Sequence, residues 1–321
     1  MKKLLTSLLA AAAYILCSAQ ASDSLVPDGT FLFAHRDTCD LYLDWYKPAE
    51  GSVTEIDGVR KPTVLYVFGG GFKEGNRRDG SSVPWFKQLT DAGYSVVSID
   101  YRLGLKGITS AGVNPEFIRN LDHAIQLAVE DLFSATNYVI ENAASLNIDP
   151  DAIVISGSSA GAITVLQAEW EICNGRELAS VLPEGFNYAG VMAFSGAIFS
   201  RQGAIRYKKT EPCPMMLCHG TIDKIVPYGQ IWFFNLRFAG SSVISKTLHN
   251  KDYNYRMYRF EGNSHEIAVT MSHNFDREMS FIEENVMKGE KAVVDTILVN
   301  DGVPVPDWAK GGDYKKLYKK D

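Results

Sequence analysis

The sequence predicts an α/β fold: a doubly wound, mostly parallel sheet with an N-terminal antiparallel extension and no large cap. Three observations predict it. Short apolar runs recur along the chain with helix-like stretches between them, the pattern of a parallel sheet covered on both faces. One of those runs passes directly into a cluster of small residues, "SGSSAGA", where a strand hands over to a helix. The composition, 46% hydrophobic and 22% charged, belongs to a chain able to bury a large core.

Residues 1–21 stand apart from the fold. "MKKLLTSLLAAAAYILCSAQA" has a basic start at Lys2 and Lys3, an apolar stretch from Leu4 to Leu16, and small residues that suit cleavage after Ala19 or Ala21. It reads as a signal peptide. Leu16 occupies the place where a small residue precedes a lipidated cysteine, which argues against a lipid on Cys17. No other apolar run reaches the ~20 residues needed to span a bilayer. Residues 22–321 are therefore expected to form a single exported domain, periplasmic or secreted. Taking Lys2 and Lys3 from 32 basic residues leaves 30 against 38 acidic ones, a net charge of −8. That sign argues against nucleic acid or an anionic membrane as partner. The lysines of "AKGGDYKKLYKK" read as a solvated end.

In chain order, "LYLDWYKP" (41–48) is an exposed early strand ended by Pro48. "TVLYVF" (63–68) and "YSVVSID" (94–100) are buried strands, and residues 115–148 have helical apolar spacing. "AIVIS" (152–156), "GVMAFS" (190–195), "PMMLC" (214–218) and "NYRMYRF" (254–260) complete the sheet, and "HEIAVTMSHNFDREMSFIEENV" reads as a surface helix. Between "AFSG" and "PMMLC" only residues 197–213 are free to form a lid, too few for a large helical cap. An open, shallow site is expected.

In such sheets ligands bind beyond the carboxyl ends of the strands. After "AIVIS" comes Gly157-Ser158-Ser159-Ala160-Gly161, a G-x-S-x-G pattern between an aliphatic strand and the helical spacing of "AITVLQAEWEI". That context makes Ser159 the nucleophile of a strand–turn–helix elbow, flanked by residues small enough for a close approach. After "TVLYVF" come Gly69, Gly70 and Gly71. Attack on an ester carbonyl creates negative charge on oxygen, and the N–H groups of Gly70, Gly71 and Ala160 are the expected oxyanion donors. After "PMMLC" comes "HGTIDKIVP", in which Asp223 is the acid that orients a base, and His219 is a loop residue shaping the turn. The order serine, acid, histidine leaves His249, His265 and His273 as base. His249 lies at the wrong end of its strand and His273 in the surface helix, whereas His265 follows "NYRMYRF" directly in "EGNSHE" and is selected.

Asp100 is set aside as a structural acid that pairs with Arg102 or a backbone N–H, Glu266 is the runner-up for a role beside the base, and Phe72, Lys73, Trp85 and Tyr101 either mix aromatic and basic groups at the pocket mouth or are ordinary core and surface residues. Cys39, Cys173, Cys213 and Cys218 follow no metal or compact disulfide spacing, and Cys218 reads as a buried thiol. No zinc spacing, dinucleotide fingerprint or phosphate loop occurs, so no cofactor and no metal are implied.

Together "LYLDWYKP", "YVFGGGFKEGN", "SIDYRLG", "LNIDPDAIVISGSSAGA", "HGTIDKIVP" and "GNSH" resemble the α/β-hydrolase superfamily, and more narrowly its carboxylesterase and lipase-like members. The resemblance covers about residues 40–228 and the later "GNSH". It implies a serine esterase, with Ala160 as an oxyanion donor. Many relatives carry histidine before the three glycines, and here Phe68 stands in that place. The expected substrate is a small-molecule or glycan ester with a short acyl group, such as acetyl or feruloyl esters of polysaccharide. An exported peptidase, an acyltransferase and a non-catalytic carbohydrate-binding relative are the rival readings.

Overall fold

The computed structural model describes residues 25–108 and 114–303. The segment 1–21 with Cys17, and the lysine-bearing tail, lie outside the described residues. In chain order the elements are β1 (Gly29–Arg36), β2 (Cys39–Tyr46), the short pair β3 (Glu55–Ile56) and β4 (Val59–Arg60), β5 (Thr63–Val67), α1 (Val83–Asp91), β6 (Ser95–Ile99), α2 (Pro115–Glu141), β7 (Ile153–Ser158) and α3 (Ala160–Cys173). There follow β8 (Gly190–Phe194), β9 (Ala197–Ser200), β10 (Met215–Gly220), β11 (Gln230–Phe233), β12 (Leu236–Gly240), α4 (Ser241–His249), β13 (Tyr255–Phe260), α5 (Phe275–Ser280) and β14 (Val293–Leu298).

Among the described residues, nine strands form one sheet in the order β1-β2-β6-β5-β7-β8-β10-β13-β14. β1, β2 and β6 pair antiparallel, and every pair from β6 onward is parallel. The central strands are aliphatic on both faces because both faces are covered. α3 is buried almost all round, packed on β7, β8 and β9 and against α2. α2 starts cleanly: Pro115 occupies its first turn, and the Asn114 side chain accepts a 2.8 Å hydrogen bond from the Phe117 N–H.

From β5 the chain steps outward to β6 and then returns across β5 to β7, so the winding reverses between β5 and β7. Loops leaving those two strands part at the reversal and open a crevice. They are the two glycine-rich segments, which places the crevice at residues 69–72 and 157–161.

Several expectations need correction. β7 runs on to Ser158 and β10 to Gly220, so His219 is a fully buried strand residue and not part of a loop. The supposed surface helix after His265 is broken into 3₁₀ turns, the short α5 and a π-helical stretch at Phe281–Met287. Its Glu278, Phe281 and Ile282 are buried, because Glu278 reaches inward to accept a 2.6 Å hydrogen bond from the Trp85 indole. Trp85 therefore belongs to the core and not to a pocket mouth. Asp100 does accept from a backbone N–H, that of Tyr42, but its cationic partner is Arg77 at 2.5 Å, while Arg102 is taken by Glu130 and Asp131. The site also has a wall that the sequence did not announce. Residues 197–213 supply only β9, yet β9 is one edge of a second, three-stranded antiparallel sheet, β11-β12-β9, whose residues line the pocket beside Ser159. Cys39 is exposed, Cys173, Cys213 and Cys218 are buried, and all four are free thiols.

A Cβ placed on Gly161 lies 1.9 Å from the Val67 carbonyl oxygen, so α3 approaches β5 as closely as backbone allows. Gly161→Ala is expected to cost about 3 kcal/mol through backbone displacement, read as a lower urea midpoint at unchanged slope.

Candidate active site

Ser159 sits between β7 and α3 at φ 51 and ψ −113, a conformation that side chains other than glycine rarely adopt. Two contacts enforce it. A Cβ on Gly157 lies 2.3 Å from the carbonyl carbon of Gly161, and one on Gly161 runs into β5, so the chain reverses tightly enough to lift Ser159 above the sheet. The Ser159 N–H is tied to the Phe194 carbonyl at 2.9 Å, and Ser158 Oγ donates to the Ala268 carbonyl at 2.6 Å. The second bond joins the elbow to the turn that carries His265.

Ser159 Oγ lies 2.8 Å from His265 Nε2, and His265 Nδ1 lies 2.8 Å from Asp223 Oδ2. A carboxylate only accepts, so Nδ1 carries the proton, Nε2 has its lone pair free, and the Ser159 hydroxyl donates to it. Asp223 Oδ1 accepts the N–H groups of Ile225 at 2.8 Å and Val226 at 3.1 Å, which fixes the carboxylate in its own turn. The acid and base loops are sewn together by the Ile222 N–H on the Asn263 carbonyl and the Gly262 N–H on Thr221 Oγ1. Glu266 Oε1 accepts from the Ser264 N–H and from Asn263 Nδ2, each at 2.9 Å, so it holds the loop that carries His265.

A second imidazole faces the same carboxylate. His219 Nε2 lies 3.4 Å from Asp223 Oδ2 and 3.1 Å from the Val226 carbonyl. Both are acceptors, so Nε2 carries the proton, and Nδ1 accepts from Ser241 Oγ at 2.8 Å. Burial of Asp223 pushes its carboxyl up, but hydrogen bonds from His219 and His265 outweigh burial and hold it well below the usual carboxylate range. Order in the chain removes His219 as the base. What sequence reasoning missed is that its burial makes it a support for the acid.

Of the expected oxyanion donors, Gly71 and Ala160 line a pocket together with Ser159. The Ala160 N–H belongs to the first turn of α3, where N–H groups have no partner within the helix. Gly70 is not part of the pocket wall; its carbonyl accepts the N–H groups of Lys73 at 3.0 Å and Glu74 at 3.1 Å. Across a trans peptide the carbonyl and the next N–H point oppositely, so the Gly71 N–H points away from that turn. Tyr101 supports the glycine loop. Its ring stacks on Phe68 at 4.4 Å, and its hydroxyl donates to the carbonyls of Phe68 at 3.0 Å and Gly69 at 3.3 Å. The pocket itself is apolar, lined by Phe72, Phe117, Ile163 and Phe199 together with residues of β11 and β12. Among the described residues no group of acidic, histidine or cysteine side chains is arranged to hold a metal ion.

A family model described as Phospholipase/Carboxylesterase matches residues 117–283, just over half of the chain and a span that includes Ser159, Asp223 and His265. The chain belongs to this family. A second model, BD-FAE, matches residues 43–169 and takes in the glycine loop and the elbow. Among curated relatives of this phospholipase/carboxylesterase chain, Neuroligin-2 of Mus musculus is 31% identical over 163 residues, 45% of this chain and 18% of that protein. Carboxylesterase 5A of Ovis aries is 29% identical over 173 residues, 53% of this chain and 39% of that protein. The chain thus spans less than half the length of these relatives. Apo esterase 2 of Thermogutta terrifontis superposes with a TM-score of 0.54 at 22% identity, covering 79% of this chain and 95% of that one. The same enzyme with propionate bound gives 0.53 and 22%, over 79% and 94% of the two chains. That likeness is one of fold: a mostly parallel sheet with an antiparallel N-terminal pair.

Because the Asp223 carboxyl titrates below its ordinary 3.8 in the folded chain, its ionised form stabilises the fold at neutral pH. That contribution is lost as pH falls below about 4 toward the lower folded value. Urea unfolding of the parent and of Asp223→Asn is expected to show the parent's advantage intact near pH 6 and narrowing below about pH 4.

Proposed function

We propose that this chain is an exported serine carboxylesterase that hydrolyses esters in two acyl-transfer steps. One observation carries the reading: the unbroken hydrogen-bonded path from Ser159 through His265 to a buried, ionised Asp223. Ser159 Oγ attacks the carbonyl carbon as its proton passes to His265 Nε2, and the imidazolium is held by the Asp223 carboxylate. The bond to the alcohol oxygen breaks, and the alcohol leaves with the proton from Nε2. Water then gives a proton to the same nitrogen and attacks the acyl carbon, and Ser159 leaves with that proton restored. In both steps the oxyanion rests on backbone N–H groups, for which Gly71 and Ala160 are the best placed and Gly70 the third. Each such donor contributes about 3–4 kcal/mol to lowering the barrier. The positive end of the α3 dipole favours the same charge.

Export is supported by the basic and apolar pattern of residues 1–21. It also suits polymer-borne esters, which are met outside the cell, and the acetyl and feruloyl esters of polysaccharide remain the proposed natural class. An ester-bound aromatic acyl group suits the apolar pocket better than acetyl does, since acetyl presents a single methyl to it.

Ser159→Ala is expected to lower kcat for p-nitrophenyl acetate by about 10⁴-fold or more while the protein stays folded; turnover at the parent rate would remove Ser159 from the chemistry. Tyr101→Phe is expected to lower kcat about tenfold with little change in KM, because it frees the glycine loop without touching the substrate; steady-state kinetics on the same ester reads the split.

A further inference from the structure

The proposed chemistry leaves a row of four apolar side chains without a role. Ile231, Trp232 and Phe233 on β11 and Phe234 in the turn after it are 47%, 63%, 64% and 77% exposed. Water-facing aromatics in a row add nothing to the core, and such a patch marks contact with something apolar. Ile231, Trp232 and Phe233 also line the pocket that opens on Ser159, whereas Phe234 does not. The patch is therefore continuous with the place where the ester carbonyl must sit.

The pocket holds about 130 Å³. That is close to the roughly 150 Å³ apolar cavity known to take up benzene. Among the described residues Arg237 is the one charged residue of its wall, and its guanidinium stacks on Trp232 at 5.1 Å. The hairpin is pinned by β12 pairing with β9, by the Gly203 N–H on the Asn235 carbonyl at 2.8 Å, and by Arg237 Nη1 on the Phe234 carbonyl at 2.5 Å. Its outer aromatics carry none of these contacts through their rings, apart from the Trp232 stack and a Phe233–Phe234 edge contact.

We propose that this hairpin is a substrate-binding flap: Trp232 and Phe233 close over the apolar part of the ester, a phenyl-sized ring or a chain of about four to eight carbons adjoining the scissile ester. The proposal rests on the serine esterase reading and deepens it by naming the substrate class. A methyl group fills little of the pocket, and each further buried methylene adds roughly fourfold in binding, so selectivity rises with the apolar group until the pocket is full.

The test measures kcat/KM below the aggregation concentration of each ester, so that adsorption to droplets does not enter. One series varies the acyl group (p-nitrophenyl acetate, butyrate and octanoate), and the other varies the alcohol (methyl, hexyl and benzyl acetate). The parent is expected to favour the larger group at least tenfold in one series. Trp232→Ala and Phe233→Ala are each expected to cut that ratio at least fivefold, Trp232→Leu by less, and Phe234→Ala is expected to keep the parent ratio. The series that responds tells whether acyl or alcohol lies under the flap, and either response supports the proposal. Parent ratios near one in both series, ratios unmoved by the Trp232 and Phe233 variants, or an equal fall in Phe234→Ala each overturn it. Ser159→Ala separates the two readings. Full turnover in that variant defeats the esterase reading itself, whereas lost turnover alongside unmoved ratios removes only the flap.

Discussion

The site depends first on a steric constraint: α3 and β5 meet backbone to backbone at Gly161 and Val67. With that approach fixed, the chain has no room to leave β7 gently, and Ser159 is forced to a positive φ. Strain of this sort costs of order 1–3 kcal/mol and persists only where the surroundings over-determine it. Here they do. The elbow is held by the Phe194 carbonyl on one side and, through Ser158, by the Ala268 carbonyl on the other. Sheet, helix and base loop therefore share one anchor, and the position of His265 relative to Ser159 follows from it.

The second organising element is a buried negative charge. Burying a carboxylate is costly unless hydrogen bonds replace its water. Asp223 meets that cost with two N–H groups of its own turn and two imidazoles. The imidazoles are not equivalent. His265 keeps a lone pair toward Ser159, while His219 is locked by Ser241 and the Val226 carbonyl into the tautomer whose Nε2–H donates toward Asp223. One imidazole turns an unprotonated nitrogen to Ser159, and the other turns an N–H to the carboxylate.

Much of this was legible in the sequence, and for a physical reason. Buried parallel strands must be aliphatic, so "TVLYV", "SVVSI" and "GVMAF" announced themselves, and the glycines of the elbow were readable because no other residue fits there. Position at strand ends then led to Ser159, Asp223 and His265, which the fold brings within hydrogen-bond reach of one another. What escaped was information carried by tertiary contact. β14 alternates between exposed and half-buried positions at the sheet edge, and β11 is aromatic but solvent-facing, so neither stood out as a buried run. The role of His219 was hidden because strand β10 extends past its last aliphatic residue. Tyr101 as the support of the glycine loop was invisible for the same kind of reason, since only the fold brings residue 101 against Phe68 and Gly69.

The cover of the pocket is joined to the fold in a way that separates it from the chemistry. Its two feet are clamped together by the Gly240 N–H on the Gly229 carbonyl at 2.6 Å and the Ser242 N–H on the Tyr228 carbonyl at 3.1 Å. Whatever lies between residues 229 and 240 is thus a loop with fixed ends, and doubling the length of such a loop costs only about 0.6 kcal/mol in closure entropy. A longer or altered hairpin tip at this one site is expected to change what the pocket admits more than it shifts the Asp223 turn before it or β13 and His265 after it. A lineage, or a laboratory library, can therefore vary taste and keep reactivity as two separately inherited traits.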